Sequence, residues 1–174
     1  MTAAPMRAPD RWIAALRIVV GGWFAKGAVT KIAIGLAWGW LPVPGASQRW
    51  VGTMPKLLAK YAAENPIPSY RAFLLDSVIP NAVLYADLTA LGETFVGLSL
   101  LAGLVTPLGA LAGFALTIVY GLAVQHMSSG QLGFHVLLAA LMTAFYFARA
   151  GRTWGVDAVL RERFPVAALV RWLT

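Results

Sequence analysis

The stretch NAVLYADLTALGETFVGLSLLAGLVT, residues 81–106, decides how the rest of the chain is read. It is long and apolar enough to cross a bilayer, since a spanning helix needs about 20 predominantly apolar residues. Yet it carries two carboxylates, Asp87 and Glu93, and Glu93 falls near its middle. An acid at mid-membrane costs at least ~2.5–3.5 kcal/mol on insertion scales, so it needs a partner, a proton or a cavity.

The rest of the chain shares this character. Of its 174 residues 59% are hydrophobic and 12% charged, which describes an integral membrane protein rather than a soluble domain. The length suits one all-α membrane domain, residues 1–174, built as a four-helix bundle. There are no cysteines, which excludes thiolate nucleophiles, disulfide chemistry and Cys-ligated metals within the chain. No metal motif is visible. The net charge is +7, but the basic residues gather at span ends and in the tail. Lipid headgroups and topology account for them there, and nucleic acid is not an expected partner. Arg17, Lys26 and Lys31 interrupt the first apolar run and no cleavage site follows, so this run reads as a span and not as a signal peptide.

Spans are expected at about 12–37, 82–104, 107–125 and 132–148. Met1 to Asp10 forms a short leader. The first span carries Trp12 at one end and Trp38 and Trp40 at the other, an aromatic belt. Pro42 and Pro44 end it. Residues 46–80 are too polar to span. Trp50, Met54, Leu57, Leu58 and Tyr61 recur at helical spacing opposite Lys56 and Lys60, which predicts an amphipathic helix on the membrane or over the bundle. A second helical piece is expected over Ser69 to Val78. Pro107 suits the first turn of the third span. The basic tail, 149–174, carries Arg149, Arg152, Arg161, Arg163 and Arg171, and Val166 to Leu173 reads as a last surface helix. Four spans put both termini on one side, and the basic termini place that side in the cytoplasm, with the long first loop outside.

Arg17, Phe24, Ala28 and Lys31 are offset by 0, 7, 11 and 14 residues, one face of a helix. A stripe with a cation at each end should face the bundle interior. Depth arithmetic then pairs Lys31 with Asp87, each ~8–9 Å below the outer surface at about 1.5 Å per residue. Lys26 matches Glu93 in depth but points away from Arg17 on an ideal helix, so either the helix is distorted near Gly27 or Lys26 turns to another neighbour or the interface. Such pairs can be purely structural. Glu93 is therefore either a structural charge, or a proton carrier or ligand contact. His126 and His135 lie near the outer ends of the third and fourth spans. With only two histidines and no CxxCH, the sequence argues against haem. A quinone headgroup needs only one or two hydrogen-bonding groups in an apolar cleft, and His135, Asp87 and Tyr85 are candidates to supply them, with Glu93 and His135 handling protons. The glycines at 92, 97, 103, 109 and 113 read as close-packing positions between helices.

Three segments resemble the DoxX family of small four-helix membrane proteins. LRIVVGGWFAKGAVTKI resembles the family's opening through Arg17, Phe24 and Lys31. ETFVGLSLLAGLVT is similar to its second motif through Glu93, Gly97, Gly103 and Thr106. AGRTWGVDAVL is similar to its ending through Gly151, Arg152, Trp154 and Asp157. The chain departs from the pattern at Gly27–Ala28, Pro107 and Gly155. The long first loop, with NPIPSYRAFL and IPNA, resembles the DoxD branch. That resemblance implies the membrane subunit of a thiosulfate:quinone oxidoreductase, in a bacterial or archaeal plasma membrane, beside a DoxA-like or other redox subunit. Two functions follow as expectations: a quinone-linked oxidoreductase subunit, or a non-catalytic accessory or assembly subunit of a larger membrane redox complex. A transporter would show internal repeats and broken helices, and neither is visible.

Overall fold

A computed structural model describes residues 8–38, 40–164 and 173–174. The expected leader up to residue 7 and nearly all of the expected surface helix at Val166–Leu173 lie outside the described residues. The described residues are all-α apart from one small hairpin. Among the described residues four helices are long and apolar enough to cross a membrane: α1 (Ala8–Lys31, apolar from Pro9), and three more at Ala82–Ala102, Thr106–Val124 and Ser129–Phe147. With the shorter helices between, α2 (Gln48–Ala63) and α3 (Pro68–Ala72), the three later spans are α4, α5 and α6.

α1 packs on α4, α4 on α5, and α5 on α6. Trp23 of α1 meets Phe134 of α6, ring centres 5.7 Å apart. The shared core is built from Val20 and Phe24 of α1, Val96 and Leu100 of α4, Ala110 of α5, and Leu138, Met142 and Phe145 of α6. Outward-facing Val19, Leu88, Leu98, Leu111, Val136 and Phe147 stay exposed. An apolar exterior around an apolar core is what a lipid solvent selects, and the chain is a multi-pass membrane protein. α4 is set close on α1 by Gly97, where a β-carbon would stand 2.7 Å from the Ala25 nitrogen.

The first span is shorter than the sequence predicts. α1 ends at Lys31, and residues 32–37 of the expected 12–37 span are instead a strand, β1 (Ile32–Ala37), paired antiparallel with β2 (Leu41–Ala46). The reason is local. IAIGLA is β-branched and Gly-containing, LPVPGA carries two prolines that no helix accommodates, and the turn residue Trp38 sits at φ 51°. The Ser47 amide then donates to the Lys31 carbonyl at 2.6 Å, which satisfies an orphan group at the end of α1.

Ser47 also caps α2, its hydroxyl accepting from the Trp50 amide at 3.2 Å. α3 runs into a π-helical turn, Phe73–Val78. Met54 and Ala62 of α2, Leu74 and Val78 of the π turn, and Ala86 of α4 form a second small core. Lys56 and Lys60 face outward. The segment between the first two spans is thus a folded layer over the bundle rather than a free loop. Asn65 pins it: its side-chain amide donates to Leu122 O at 2.9 Å on α5, and its own carbonyl accepts from Arg71 Nη2 at 2.6 Å.

Candidate functional site

Midway along α4, Glu93 is nearly buried, its side chain 5% exposed. Its Oε1 accepts from Lys31 Nζ at 2.5 Å and from the Tyr120 hydroxyl at 2.8 Å. The Lys31 ammonium lies 4.8 Å from the Trp50 ring centre and 5.7 Å from that of Tyr120. Trp50 is fixed in turn by its indole N–H, which donates to Thr89 Oγ1 at 3.0 Å. Four elements therefore converge: α1, α2, α4 and α5. The other carboxylate oxygen, Glu93 Oε2, is buried and has no hydrogen-bond partner among the described residues. It faces Gly27, where a β-carbon would stand 2.7 Å away. A buried acceptor without a partner is uncommon in a folded protein and marks a place for a proton, water or ligand hydroxyl.

The partners differ from the expected ones. Lys31 pairs with Glu93 and not with Asp87. Asp87 Oδ1 instead accepts from the Ala46 amide at 2.6 Å, at the base of the hairpin. Lys26 is exposed and lies 5.8 Å from the Trp23 ring centre, away from Glu93. The cause is side-chain direction. In a helix each Cα–Cβ bond leans toward the N-terminus. α1 and α4 run antiparallel, so Lys31 leans deeper while Glu93 and Asp87 lean outward. Lys31 meets Glu93, and Asp87 reaches the hairpin above it.

The expected quinone trio is not brought together by hydrogen bonds. The Tyr85 hydroxyl meets Ser77 Oγ at 3.2 Å, and its ring packs on Phe73. His135 sits half-buried on α6, its Nδ1 2.7 Å from Gln131 O and its Cβ against Gly121 of α5. None of the three contacts another through a hydrogen bond. His126, beyond the end of α5, buries Nδ1 without a partner among the described residues. A shallow depression of about 570 Å³ lies beside Pro80–Leu84 and Asp87, open to the surroundings.

The remaining polar residues gather at the other end of the bundle. Arg17 is fully buried and donates to the last carbonyls of α4, Leu100 O and Leu101 O, the second at 3.4 Å. It also reaches Thr153 O at 3.4 Å and Trp154 O at 3.2 Å. A cation on the carbonyl end of a helix is favourable by charge and by satisfaction of orphan acceptors. Asp157, in the short helix α7 (Val156–Arg163), does the converse. Its two oxygens accept from the Val105 amide at 2.7 Å and the Thr106 amide at 2.9 Å, capping α5. The corner between them holds Gly103 at φ 63° and Val105 at φ 45°. Gly103 also lacks the room for a side chain, since a β-carbon would stand 2.6 Å from the Gly155 Cα. Among the nearby arginines, burial and the charges of Arg161 and Arg149 press the Arg152 guanidinium below its ordinary range, against the opposing pull of Asp157.

Arg17, Gly103, Thr106, Gly151 and Asp157 thus come from three separate sequence motifs and meet at one corner, while Lys31 and Glu93 meet at another. Over residues 12–173 the chain matches the family described as "TQO small subunit DoxD". The chain belongs to the DoxD family. No curated protein and no solved structure matches it. For this DoxD chain the family motifs divide by geometry: the Arg17–Asp157 group is a structural clamp on the α4–α5 corner, and the Lys31–Glu93 group is the candidate site. Sequence reasoning missed Tyr120, Trp50 and Asn65. Tyr120 carried a usable signal, as the one phenol in a span without a charge. Asn65 lay in the DoxD-like NPIPSYR segment, but nothing in its spacing indicated the bond to α5.

Proposed function

We propose that the chain is the membrane subunit of a quinone-linked oxidoreductase complex of the thiosulfate:quinone type, and that the Lys31–Glu93–Tyr120 cluster is where it meets the quinone. The observation that carries the reading is the orphaned Glu93 Oε2, buried beside an ammonium and a phenol in a chain of the small-subunit family. The residue set suits a quinone as substrate. The Lys31 ammonium keeps donors to spare for a carbonyl oxygen, Tyr120 holds Glu93 in place, and Trp50 offers an aromatic wall. Quinone reduction takes up two electrons and two protons. The electrons arrive by way of a second subunit from a sulfur donor. Glu93 holds and releases protons, and Lys31 at 18% side-chain exposure links it toward the surface. In this reading His135, Asp87 and Tyr85 do not form the headgroup site. The chain sits in a bacterial or archaeal plasma membrane with both termini cytoplasmic, a placement supported by the basic ends.

The test is quinone reduction by the purified complex with thiosulfate as donor. Glu93→Gln should lower turnover at least tenfold while the second subunit still co-purifies. Unchanged turnover would overturn the role of Glu93 and leave the accessory-subunit reading in its place. The clamp around Arg17 and Asp157 favours that second reading only for its own end of the bundle, where these two side chains bind backbone groups.

A further inference from the structure

The hairpin has two unlike edges. Ser47 N–H donates to Lys31 O, and in the same register Ile32 faces Ala46, Ile34 faces Pro44 and Leu36 faces Pro42. Pairs in an antiparallel ladder alternate between hydrogen-bonded and not. Lys31–Ser47 is bonded, so Ala33–Gly45, Gly35–Val43 and Ala37–Leu41 are the bonded pairs. Positions 42, 44 and 46 of β2 then point their amides outward. Two are prolines with no N–H, and the third, Ala46, gives its N–H to Asp87 Oδ1. The β2 edge has no free donor, and it lies along α4.

The β1 edge is the opposite. The N–H and C=O groups of Ile34 and Leu36 point outward, and among the described residues nothing hydrogen-bonds them. The two residues are 76% and 64% exposed, and Trp38 and Trp40 stand exposed at the turn. Neither plain solvent suits such an edge. Lipid leaves the amides and carbonyls unpaired, and water leaves the apolar side chains and tryptophans bare. A lone two-stranded hairpin is also marginal without further cover. Natural edges are blunted by prolines and covering elements, as β2 is here and β1 is not.

We propose that the β1 edge receives an extended, apolar strand from the second subunit of the complex, which adds to the hairpin as a third strand. This rests on the reading of the chain as a small subunit beside another chain, and on the open edge for where that chain binds. Backbone pairing to Ile34 and Leu36 would give the affinity, and Trp38 and Trp40 the anchoring contacts.

Leu36→Pro and Ile34→Pro test the edge alone. Each removes an outward N–H and no bond inside the hairpin, as Pro42 and Pro44 already do on the other strand. Each should cut the co-purifying second subunit at least tenfold, with helix content and melting temperature unchanged. Gly35→Pro, at an internally bonded position, should disturb the hairpin itself. Because the chain has no cysteine, Leu36→Cys carries its only thiol and takes a benzophenone maleimide. Irradiation of the complex in native membranes should join it to the second subunit, and the same label at Leu98→Cys on the outer face of α4 should not. A homodimer or lipid adduct from position 36, or full retention of the partner by Leu36→Pro, would overturn the proposal. If the wild-type chain brings down no second subunit, the complex reading falls with it. If partner retention survives the edge variants, that reading stands and only the edge is refuted.

Discussion

Gly27 of α1 stands so close to Glu93 of α4 that a β-carbon on it would come 2.7 Å from Oε2. The carboxylate is held on its other oxygen by Lys31 and Tyr120 and has little freedom to retreat. Gly27→Ala should therefore destabilise the protein by about 1–3 kcal/mol, the usual cost of overpacking. Melting in detergent measures it, and a wild-type melting temperature would show that Glu93 moves freely.

The Lys31–Glu93 pair should behave as a coupled unit. Removing one partner of a buried pair costs about 3–5 kcal/mol, because the other is left uncompensated. Glu93→Gln and Lys31→Met should each destabilise, the first less than Glu93→Ala. The double variant should lose less than the sum, with a coupling of about 0.5–3 kcal/mol. A double-mutant cycle on denaturation free energies decides it, and strict additivity would mean the contact contributes nothing.

At the other end, Asp157→Asn replaces one acceptor by a donor that faces the Thr106 or Val105 amide. An unsatisfied buried donor costs about 1–3 kcal/mol, and that loss should appear in the melting temperature. Val105 sits at φ 45°, strained for a β-branched residue, and depends on the Asp157 bond to stay there. Because this corner is structural, Asp157→Asn should leave quinone turnover per folded complex near the wild-type value.

Tyr70 of α3 donates its hydroxyl to Val119 O at 2.6 Å, and burial pushes the phenol up to about 12 from an ordinary 10. The folded state holds this proton more tightly than the unfolded chain. The stability it adds is complete below pH about 10 and is lost as pH rises through about 12. The stability difference between wild type and Tyr70→Phe should shrink across that window. A difference that stays flat from neutral pH to 12 would contradict it.

Much of this architecture was legible in the sequence. The apolar composition and the run around Glu93 gave the four-helix membrane bundle, and the offsets of Arg17, Phe24, Ala28 and Lys31 gave a face that is indeed turned inward. The hairpin was not legible. A continuous apolar run ending in Trp38 satisfies the length of a span whether its last residues are helix or strand, and periodicity cannot separate the two when every position is apolar. The charge pairing failed for a different reason. Depth counted along the backbone ignores the lean of side chains, about one turn in opposite senses on antiparallel helices, and that lean passed Lys31 from Asp87 to Glu93. Tyr120 stood out only as the one phenol in an uncharged span, and neither its contact nor that of Trp50 could be read, because they join elements with no sequence relation.

The clamp at the α4–α5 corner also has an order in time. Arg17 reaches Thr153 across 136 residues of chain. At synthesis rates of about 5–20 residues per second, roughly 7–27 seconds separate the two ends. During biogenesis the first span must wait near the membrane surface with a guanidinium that its final partners do not yet exist to meet. The third span waits likewise, its leading amides bare until Asp157 emerges. The bundle is closed last at its oldest end, so a truncation before residue 157 should leave inserted but unlatched helices for the membrane's quality-control proteases.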